Sequence, residues 1–110
     1  MKSSYETKFY QTEQGETPFT QYLSKLRDMR AALKIATRIN RAQTGNFGDH
    51  KSVGDGLWEM RIDYGPGYRV YYCFEGDRLV LLLCAGDKRT QPRDIETAGK
   101  YKADFERRNT

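Results

Sequence analysis

Three basic residues lie where an antiparallel sheet would bring them together. Arg61 and Arg69 fall on consecutive predicted strands, and the five-residue turn 63–67 places these two arginines directly opposite each other. Lys88 follows the next strand and leaves it at the same end of the sheet. Like charges directly opposite each other destabilise a sheet, so a bound anion is the simplest reason for this arrangement. Guanidinium groups contact phosphate oxygens in pairs, and the spacing therefore predicts a phosphate site.

RNA is the phosphate ligand on which this cluster could act chemically. RNA supplies its own nucleophile, the 2′-hydroxyl, so a protein needs only to align that group, stabilise charge on phosphorus and move protons. The predicted catalytic residues, two arginines that clamp the phosphate and two lysines that are candidates for acid or base, are Arg61, Arg69, Lys88 and Lys51. The predicted RNA-binding residues, which include tyrosines that could stack on bases, are Tyr68, Tyr71, His50, Arg89 and Gln91.

Several of these residues also have a structural interpretation, which the sequence leaves open. Arg69 can form an ion pair with Glu59, which lies on the same strand face. Tyr71 can be ordinary packing, and His50 can form hydrogen bonds within a loop. The second predicted helix has a basic face that is typical of solvated surface, formed by Arg30, Lys34, Arg38 and Arg41.

Composition supports a nucleic-acid partner and argues against metal chemistry. The 110 residues carry a net charge of +4, which favours a polyanionic partner. At this length we expect one domain over residues 1–110. One histidine and two cysteines do not form a metal-ligand set, so neither a metal nor another cofactor is expected. The sequence contains no apolar run of ~18 residues that could span a membrane, and its N-terminal residues do not resemble a signal peptide. A cytoplasmic protein is therefore expected. In that reducing compartment Cys73 and Cys84 are expected to be free thiols.

Hydrophobic periodicity predicts the element order strand, two helices, three strands and a final helix. The predicted strands are 5–10, 57–62, 68–74 and 79–84, and the last helix begins near residues 90–92. The Gly-rich segment 47–56 is interpreted as an ordered loop. The first helix is expected to begin at Pro18 and the second after an Asp28 cap. The second helix is predicted to bury an apolar stripe of Met29, Ala32, Leu33, Ala36 and Ile39.

Side-chain alternation assigns the two faces of the predicted sheet. A two-residue turn at 76–77 would pair Phe74 with Leu79 and Arg69 with Cys84. One face is then nearly all apolar and is expected to lie under the helices: Trp58, Met60, Ile62, Val70, Tyr72, Phe74, Leu79, Leu81 and Leu83. The opposite face is expected to carry the site and holds Leu57, Glu59, Arg61, Arg69, Tyr71, Cys73, Val80, Leu82 and Cys84.

Three stretches of the chain resemble the addiction-module killer proteins, a phage-derived, HigB-like branch of the RelE/ParE toxin superfamily. They are 45–62 (GNFGDHKSVGDGLWEMRI), 65–72 (GPGYRVYY) and 81–88 (LLLCAGDK), and the resemblance extends over about residues 17–105. It implies an α+β fold with a curved antiparallel sheet backed by helices, in the order β-α-α-β-β-β-α. It also implies a toxin encoded beside an antitoxin, which in this branch is usually a helix-turn-helix DNA-binding protein.

The resemblance implies an activity and candidate residues as well. Members that cut mRNA on the ribosome use scattered basic residues and tyrosines. By position, Arg61 and Arg69 match basic strand residues of such members, Lys88 matches the basic residue after the last strand, and Lys51 is a looser match. The chain departs from some of them at Glu59, where they carry a basic residue, and it has no clear equivalent of their catalytic tyrosine.

The function expected from the sequence is therefore the toxin of a type II toxin–antitoxin pair, acting as a metal-independent endoribonuclease on mRNA at the ribosome. Its expected partners are a cognate antitoxin, the ribosome and mRNA. Two alternatives stay open: a ParE-like inhibitor of DNA gyrase, and a basic module that only binds RNA or another protein.

Overall fold

The computed structural model describes residues 4–110. Within this range the elements are β1 (Glu6–Phe9), α1 (Pro18–Lys25), α2 (Met29–Ala42), β2 (His50–Gly54), β3 (Leu57–Ile62), β4 (Tyr68–Glu75), β5 (Leu79–Asp87) and α3 (Gln91–Arg108), with a 3₁₀ turn at Lys88–Thr90. The strands form one sheet in the order β1-β5-β4-β3-β2. Strand β1 is parallel to β5, and the other pairs are antiparallel. The α+β class agrees with the prediction, but the sheet is mixed and not wholly antiparallel, because β1 adds to β5 in parallel. The α1–α2 connection then carries the chain from β1 to β2 at the opposite edge of the sheet.

The interpretation of 47–56 as a loop is wrong in part, because β2 lies within it. Strand β2 pairs with β3 and places Lys51 opposite Glu59. Its hairpin turn contains three consecutive residues with positive φ at 54–56, of which Asp55 is not a glycine. The glycines that suggested a loop therefore form a tight turn, and the element order gains one strand at the sheet edge.

The predicted register between β3 and β4 is confirmed, with Arg61 opposite Arg69. Around the two arginines both strands alternate, because Arg61 lies between Met60 and Ile62, and Arg69 lies between Tyr68 and Val70. A one-residue slip would move these side chains to the wrong face. The position of the two arginines is therefore well defined by the hydrophobic pattern.

The predicted register between β4 and β5 is wrong. Leu79 pairs with Glu75 and not with Phe74, because the turn has three residues, 76–78. The register then shifts between Tyr71 and Tyr72, where β5 contains one extra residue.

This shift changes the pairing at the site and exchanges part of the predicted faces. Arg69 pairs with Gly86 and not with Cys84. In β5, Val80 and Leu82 lie on the face of α1 and α2, while Leu81 and Leu83 lie on the opposite face. The prediction had these four residues reversed.

Helices cover both faces of the sheet. Helices α1 and α2 pack on one face, where the main buried residues are Phe19, Ala31, Ile35, Ile39, Ala42, Met60, Ile62, Val70, Tyr72, Val80 and Leu82. Helix α3 packs on the other face, over Leu57, Tyr71, Cys73, Leu81, Leu83 and Cys84, with Ala98 as its own buried residue. The face expected to carry the site is therefore largely covered by α3, which leaves open only the end that carries Arg61.

Helix α2 begins as predicted, but of the predicted apolar stripe only Ile39 is buried. The Asp28 side chain accepts hydrogen bonds from the backbone N–H groups of Arg30 and Ala31, as expected of an N-cap. The buried residues are Ala31, Ile35, Ile39 and Ala42, whereas Met29 and Leu33 are 71% and 65% exposed. Both stripes have helical spacing, and the one that contains two isoleucines faces the core. Within residues 4–110, no helix is long and apolar enough to cross a membrane.

Candidate functional site

The structure brings Arg61, Arg69 and Lys88 to the walls of one cleft, here called the arginine cleft. It has a volume of about 330 Å³, and its lining residues are Asp49, Arg61, Asp63, Gly67, Arg69 and Lys88. It lies at the end of the sheet that α3 leaves open. The predicted convergence of three cations is therefore present, and two carboxylates that the sequence did not assign to the site join it.

Asp49 is the partner of Arg61. The Nη2 atom of Arg61 lies 2.8 Å from Oδ1 of Asp49, and both side chains are exposed, by 37% and 54%. The hydrogen bond from Arg61 holds the pKa of Asp49 below its ordinary value, and Asp49 in turn raises the pKa of Arg61. Exposed ion pairs contribute little to stability, so an anion can replace Asp49 on Arg61 at small cost.

Glu59 is the partner of Arg69, and this pair is buried. The Nε atom of Arg69 lies 3.8 Å from Oε2 of Glu59, with the side chains 11% and 0% exposed. Gln91, in the first turn of α3, donates a hydrogen bond of 2.5 Å to the same Oε2 atom. Three polar atoms in this region are buried without a hydrogen-bond partner: Oε1 of Glu59, Nε of Arg69 and the hydroxyl of Tyr71. The ion pair that the sequence left open is therefore present, and it is far more buried than the pair of Arg61. Arg69 also donates a hydrogen bond of 3.2 Å to the carbonyl of Tyr68.

A short connection after β5 places Lys88. The backbone N–H of Lys88 donates to the carbonyl of Gly67 at 2.9 Å, which joins the β3–β4 turn to the start of the 3₁₀ turn. At Gly86, a Cβ atom would collide with the Asp94 carboxylate, which accepts a 2.5 Å hydrogen bond from Thr90. Glycine at position 86 therefore allows the first turn of α3 to close over the end of β5.

Arg38 is the main site residue that sequence reasoning missed. Its guanidinium donates hydrogen bonds to the carbonyl oxygens of Phe47, Asp49 and Arg61, and burial lowers its pKa. At Gly48, where φ is +61°, a Cβ atom would lie 2.8 Å from Nη2 of Arg38. The basic face of α2 was interpreted as solvated, but this arginine fixes the segment that carries Asp49. No periodic signal in the sequence could have found it, because its contacts are with carbonyl oxygens of other elements.

Three predicted RNA-binding residues do not reach the arginine cleft. Tyr71 is fully buried under α3, and Tyr68 is 7% exposed in the core beneath α1 and α2, so neither can stack on a base. His50 faces the α2 side of the sheet, where its ring stacks between Phe47 and Trp58. Its Nδ1 atom lies 2.9 Å from the Tyr72 hydroxyl. The prediction of base stacking by Tyr68 and Tyr71 is therefore wrong, because both rings are buried. His50 is half-buried and lies away from the cleft, so RNA contact by His50 stays a prediction.

The other predicted residues lie around the cleft without lining it. Lys51 is exposed on β2 opposite Glu59, one cross-strand row away from Arg61. Arg89 is exposed and forms an ion pair with Asp87, and the hydrogen bond from Arg89 lowers the pKa of Asp87. Gln91 donates a hydrogen bond to the Glu59 carboxylate. Lys51 and Arg89 are placed to contact a longer ligand that extends beyond the arginine cleft.

Residues 21–106 match the family of phage-derived, Gp49-like proteins. The chain belongs to this family. The match contains every residue that lines the arginine cleft, and the family is associated with the toxins of toxin–antitoxin pairs. An uncharacterised protein of Haemophilus influenzae is 58% identical to the chain over 80 residues, which span 73% of this chain and 81% of the relative.

The cleft of this Gp49-like chain is suited to a partly neutralised anion site. Its three cations and two carboxylates leave one net positive charge among the lining residues, less than the sequence predicted. Arg69 presents a guanidinium that is largely buried beside Glu59, while Arg61 and Asp49 form a solvent-exposed pair. Among residues 4–110, no group of three metal-ligating side chains is found. The arrangement can bind a phosphodiester and offers both proton donors and carboxylate acceptors beside it.

Proposed function

We propose that this protein is the toxin of a type II toxin–antitoxin pair and that it cleaves mRNA on the ribosome as a metal-independent endoribonuclease. The observation that carries this proposal is the register that sets Arg61 opposite Arg69 in a cleft shared with Lys88. Membership of the Gp49-like family supports the toxin assignment. The resemblance to the RelE/ParE toxins, and to their HigB-like branch, supports the assignment as an endoribonuclease that acts on mRNA at the ribosome.

In the proposed reaction the arginine cleft binds the scissile phosphate. Arg69, paired with Glu59, contacts one non-bridging oxygen. Arg61 leaves Asp49 and contacts the other, so that two guanidiniums stabilise the charge that develops on phosphorus. The energetic cost of opening the exposed Arg61–Asp49 pair is small, which makes this exchange compatible with rapid turnover.

The chemical step uses the nucleophile that RNA carries. The 2′-oxygen attacks the adjacent phosphorus, the bond from phosphorus to the 5′-oxygen breaks, and the products are a 2′,3′-cyclic phosphate and a 5′-hydroxyl end. A cleft carboxylate, Asp49 or Asp63, accepts the 2′-hydroxyl proton, and the Lys88 ammonium donates a proton to the leaving 5′-oxygen. Lys51, one row away on the same sheet face, is the second candidate for proton donation.

The proposed partners follow from this chemistry. The ribosome presents mRNA to the cleft, and a cognate antitoxin of the helix-turn-helix type holds the toxin inactive. We expect an acidic segment of that antitoxin to cover the arginine cleft, because such a segment would occupy the same guanidiniums as the phosphate. A complex in which the cleft stays open would contradict this expectation.

The decisive experiment is expression of the chain in bacteria, with mapping of mRNA 5′ ends before and after induction. New ends inside translated frames are expected with the native protein and with Arg78→Ala, a matched control in the turn at the far end of β4. They should be absent with Arg69→Ala and with Arg61→Ala. Growth arrest with intact mRNA and DNA-damage signalling would instead identify a ParE-like gyrase inhibitor. Absence of arrest would favour a module that only binds.

A further inference from the structure

Helix α2 presents an apolar pair to solvent that the fold does not use. Met29 and Leu33 lie one turn apart and are 71% and 65% exposed, and Ala36, also exposed, continues the same stripe. The core is built on the other stripe of the helix, from Ala31 to Ala42. A contiguous exposed apolar patch of this kind commonly marks a binding surface.

The same helix carries a charge pattern that opposes its own stability. Its 14 residues include Arg30, Lys34, Arg38 and Arg41 and no acidic residue. Arg30, Lys34 and Arg38 are spaced four apart, a spacing at which like charges destabilise a helix. Arg30 also lies in the first turn, where the helix dipole disfavours a cation. A partner that brings negative charge would relieve both effects.

Three of these cations form no ion pair within the described part of the chain, although Asp28 lies near Arg30 and Asp63 lines the same groove as Lys34 and Arg41. No acidic side chain of residues 4–110 forms an ion pair with Arg30, Lys34 or Arg41. Lys34 lies 5.1 Å from the centroid of the Tyr64 ring, which keeps its charge at the surface. Of the four cations of α2, only Arg38 is bound inside the fold, by the backbone carbonyls that it holds.

A groove lies beside Leu33 and shares one lining residue with the arginine cleft. It has a volume of about 380 Å³, and it is lined by Leu33, Lys34, Thr37, Arg38, Arg41, Ile62 and Asp63. Asp63 lines the arginine cleft as well. A partner seated on α2 would therefore reach the edge of the cleft.

We propose that α2 is the docking site for an acidic amphipathic helix of a partner protein. The apolar face of that helix would pack on Met29 and Leu33, and its carboxylates would pair with Arg30, Lys34 and Arg41, as in other helix-in-groove complexes. The exposed apolar pair favours a protein over RNA, because neither side chain can contact phosphate. This inference does not depend on whether the arginine cleft cleaves RNA.

The methionines provide the test. In the full-length chain labelled with ¹³C at the methionine methyl groups, Met29 reports on the α2 surface, and Met60, fully buried beneath α2, reports on the core. The probe is a synthetic helical peptide of about 20 residues, long enough to fold in isolation, with leucines spaced three and four apart and glutamates on both flanks. It should shift the Met29 methyl signal and leave the Met60 signal in place.

Two variants separate docking from simple charge attraction. Leu33→Glu should weaken peptide binding at least tenfold, which corresponds to about 1.4 kcal/mol. Ala103→Glu changes the net charge equally but lies on the exposed side of α3, and it should bind nearly as the native chain does. Thermal melting checks that both variants are folded.

Three results would overturn the proposal. One is no Met29 shift at peptide concentrations up to about 1 mM, where even weak complexes form. Another is an equal shift with a peptide of the same composition whose leucines are scattered around the helix. The third is a larger Met29 shift, at lower concentration, with a single-stranded RNA oligonucleotide, which would make α2 an RNA-binding surface. None of these results bears on cleavage by the arginine cleft.

Discussion

The carboxylate of Glu59 and the guanidinium of Arg69 form a buried ion pair behind an open cleft. The Oε2 atom of Glu59 is 3.8 Å from Nε of Arg69 and 2.5 Å from Nε2 of Gln91, while Oε1 of Glu59 is buried without a hydrogen-bond partner. An incompletely paired buried carboxylate reduces the stability of a fold. We infer that Glu59 instead orients the guanidinium of Arg69 towards the cleft.

Glu59→Gln should therefore separate cleavage from binding. The amide keeps the size of the side chain and can still pair with Gln91, but it loses its charge attraction for Arg69. We expect RNA cleavage to fall about 10- to 100-fold, since small misplacements of a catalytic group can cost about that much. Affinity for a non-cleavable RNA oligonucleotide should not weaken, because the cleft becomes more positive.

The control for this variant is Glu96→Gln, which removes an equal charge from the exposed side of α3. Single-turnover kinetics measure the rate of RNA cleavage, fluorescence anisotropy measures the affinity for the non-cleavable RNA, and thermal melting verifies the fold. A parallel loss of binding and cleavage in Glu59→Gln would show that Glu59 is only structural.

The pairing of Arg61 with Arg69 could be predicted from the sequence, because it depends only on neighbouring residues of one hairpin. The turn between β3 and β4 has a defined length, and both strands alternate beside the two arginines, so only one register keeps Met60, Ile62 and Val70 on one face. The same reasoning failed on β5, where the run Leu81 to Leu83 is apolar on both faces. Without alternation, neither the three-residue turn 76–78 nor the extra residue in β5 left a signal in the sequence.

The partners of the two arginines could be predicted only in part, for a related reason. Glu59 could be identified because it shares a strand face with Arg69. The contacts of Asp49 and Arg38 join residues 11 to 23 positions apart across different elements, and such contacts leave no periodic pattern. Tyr68 and Tyr71 were misassigned because tyrosine suits both a buried core and a stacking surface, and only the packing of helices on both sheet faces decides between them.

Asp49→Asn should strengthen RNA binding. The exposed partner of Arg61 would lose its charge, so the guanidinium would be free before the phosphate arrives. We expect the affinity for a single-stranded RNA oligonucleotide to rise several-fold at low salt and the gain to shrink as salt screens the cleft. Anisotropy titrations at several salt concentrations measure it. Asp77→Asn, at the other end of β4, is the charge-matched control and should change affinity much less; equal gains would mean that only net charge matters.

Gly86→Ala should destabilise the protein by about 1–3 kcal/mol, the usual cost of forcing an extra group into a packed region. The new methyl would meet the Asp94 carboxylate, and the first turn of α3 would have to move away from β5. Chemical denaturation measures the loss. Gly99→Ala is the control, and it lies within α3, where a Cβ atom would lie 3.8 Å from Leu57. It should add about 0.5–1 kcal/mol through helix propensity, and similar losses in both variants would contradict the argument.

The two cysteines should be unreactive in the folded protein. Burial is the main cause that raises the pKa of Cys73 and of Cys84 to about 12, against an unfolded value of about 8.5. Thiol reagents at pH 8.5 should therefore label both residues only after denaturation. Each thiol has a higher pKa in the folded than in the unfolded protein. Keeping the thiols protonated therefore contributes fully to the free energy of unfolding below the unfolded pKa, and this contribution is lost as pH rises towards 12. In urea titrations, the Cys73→Ala, Cys84→Ala double variant should lose less stability between pH 8 and 11 than the native chain, and fast labelling of the folded protein would refute the prediction.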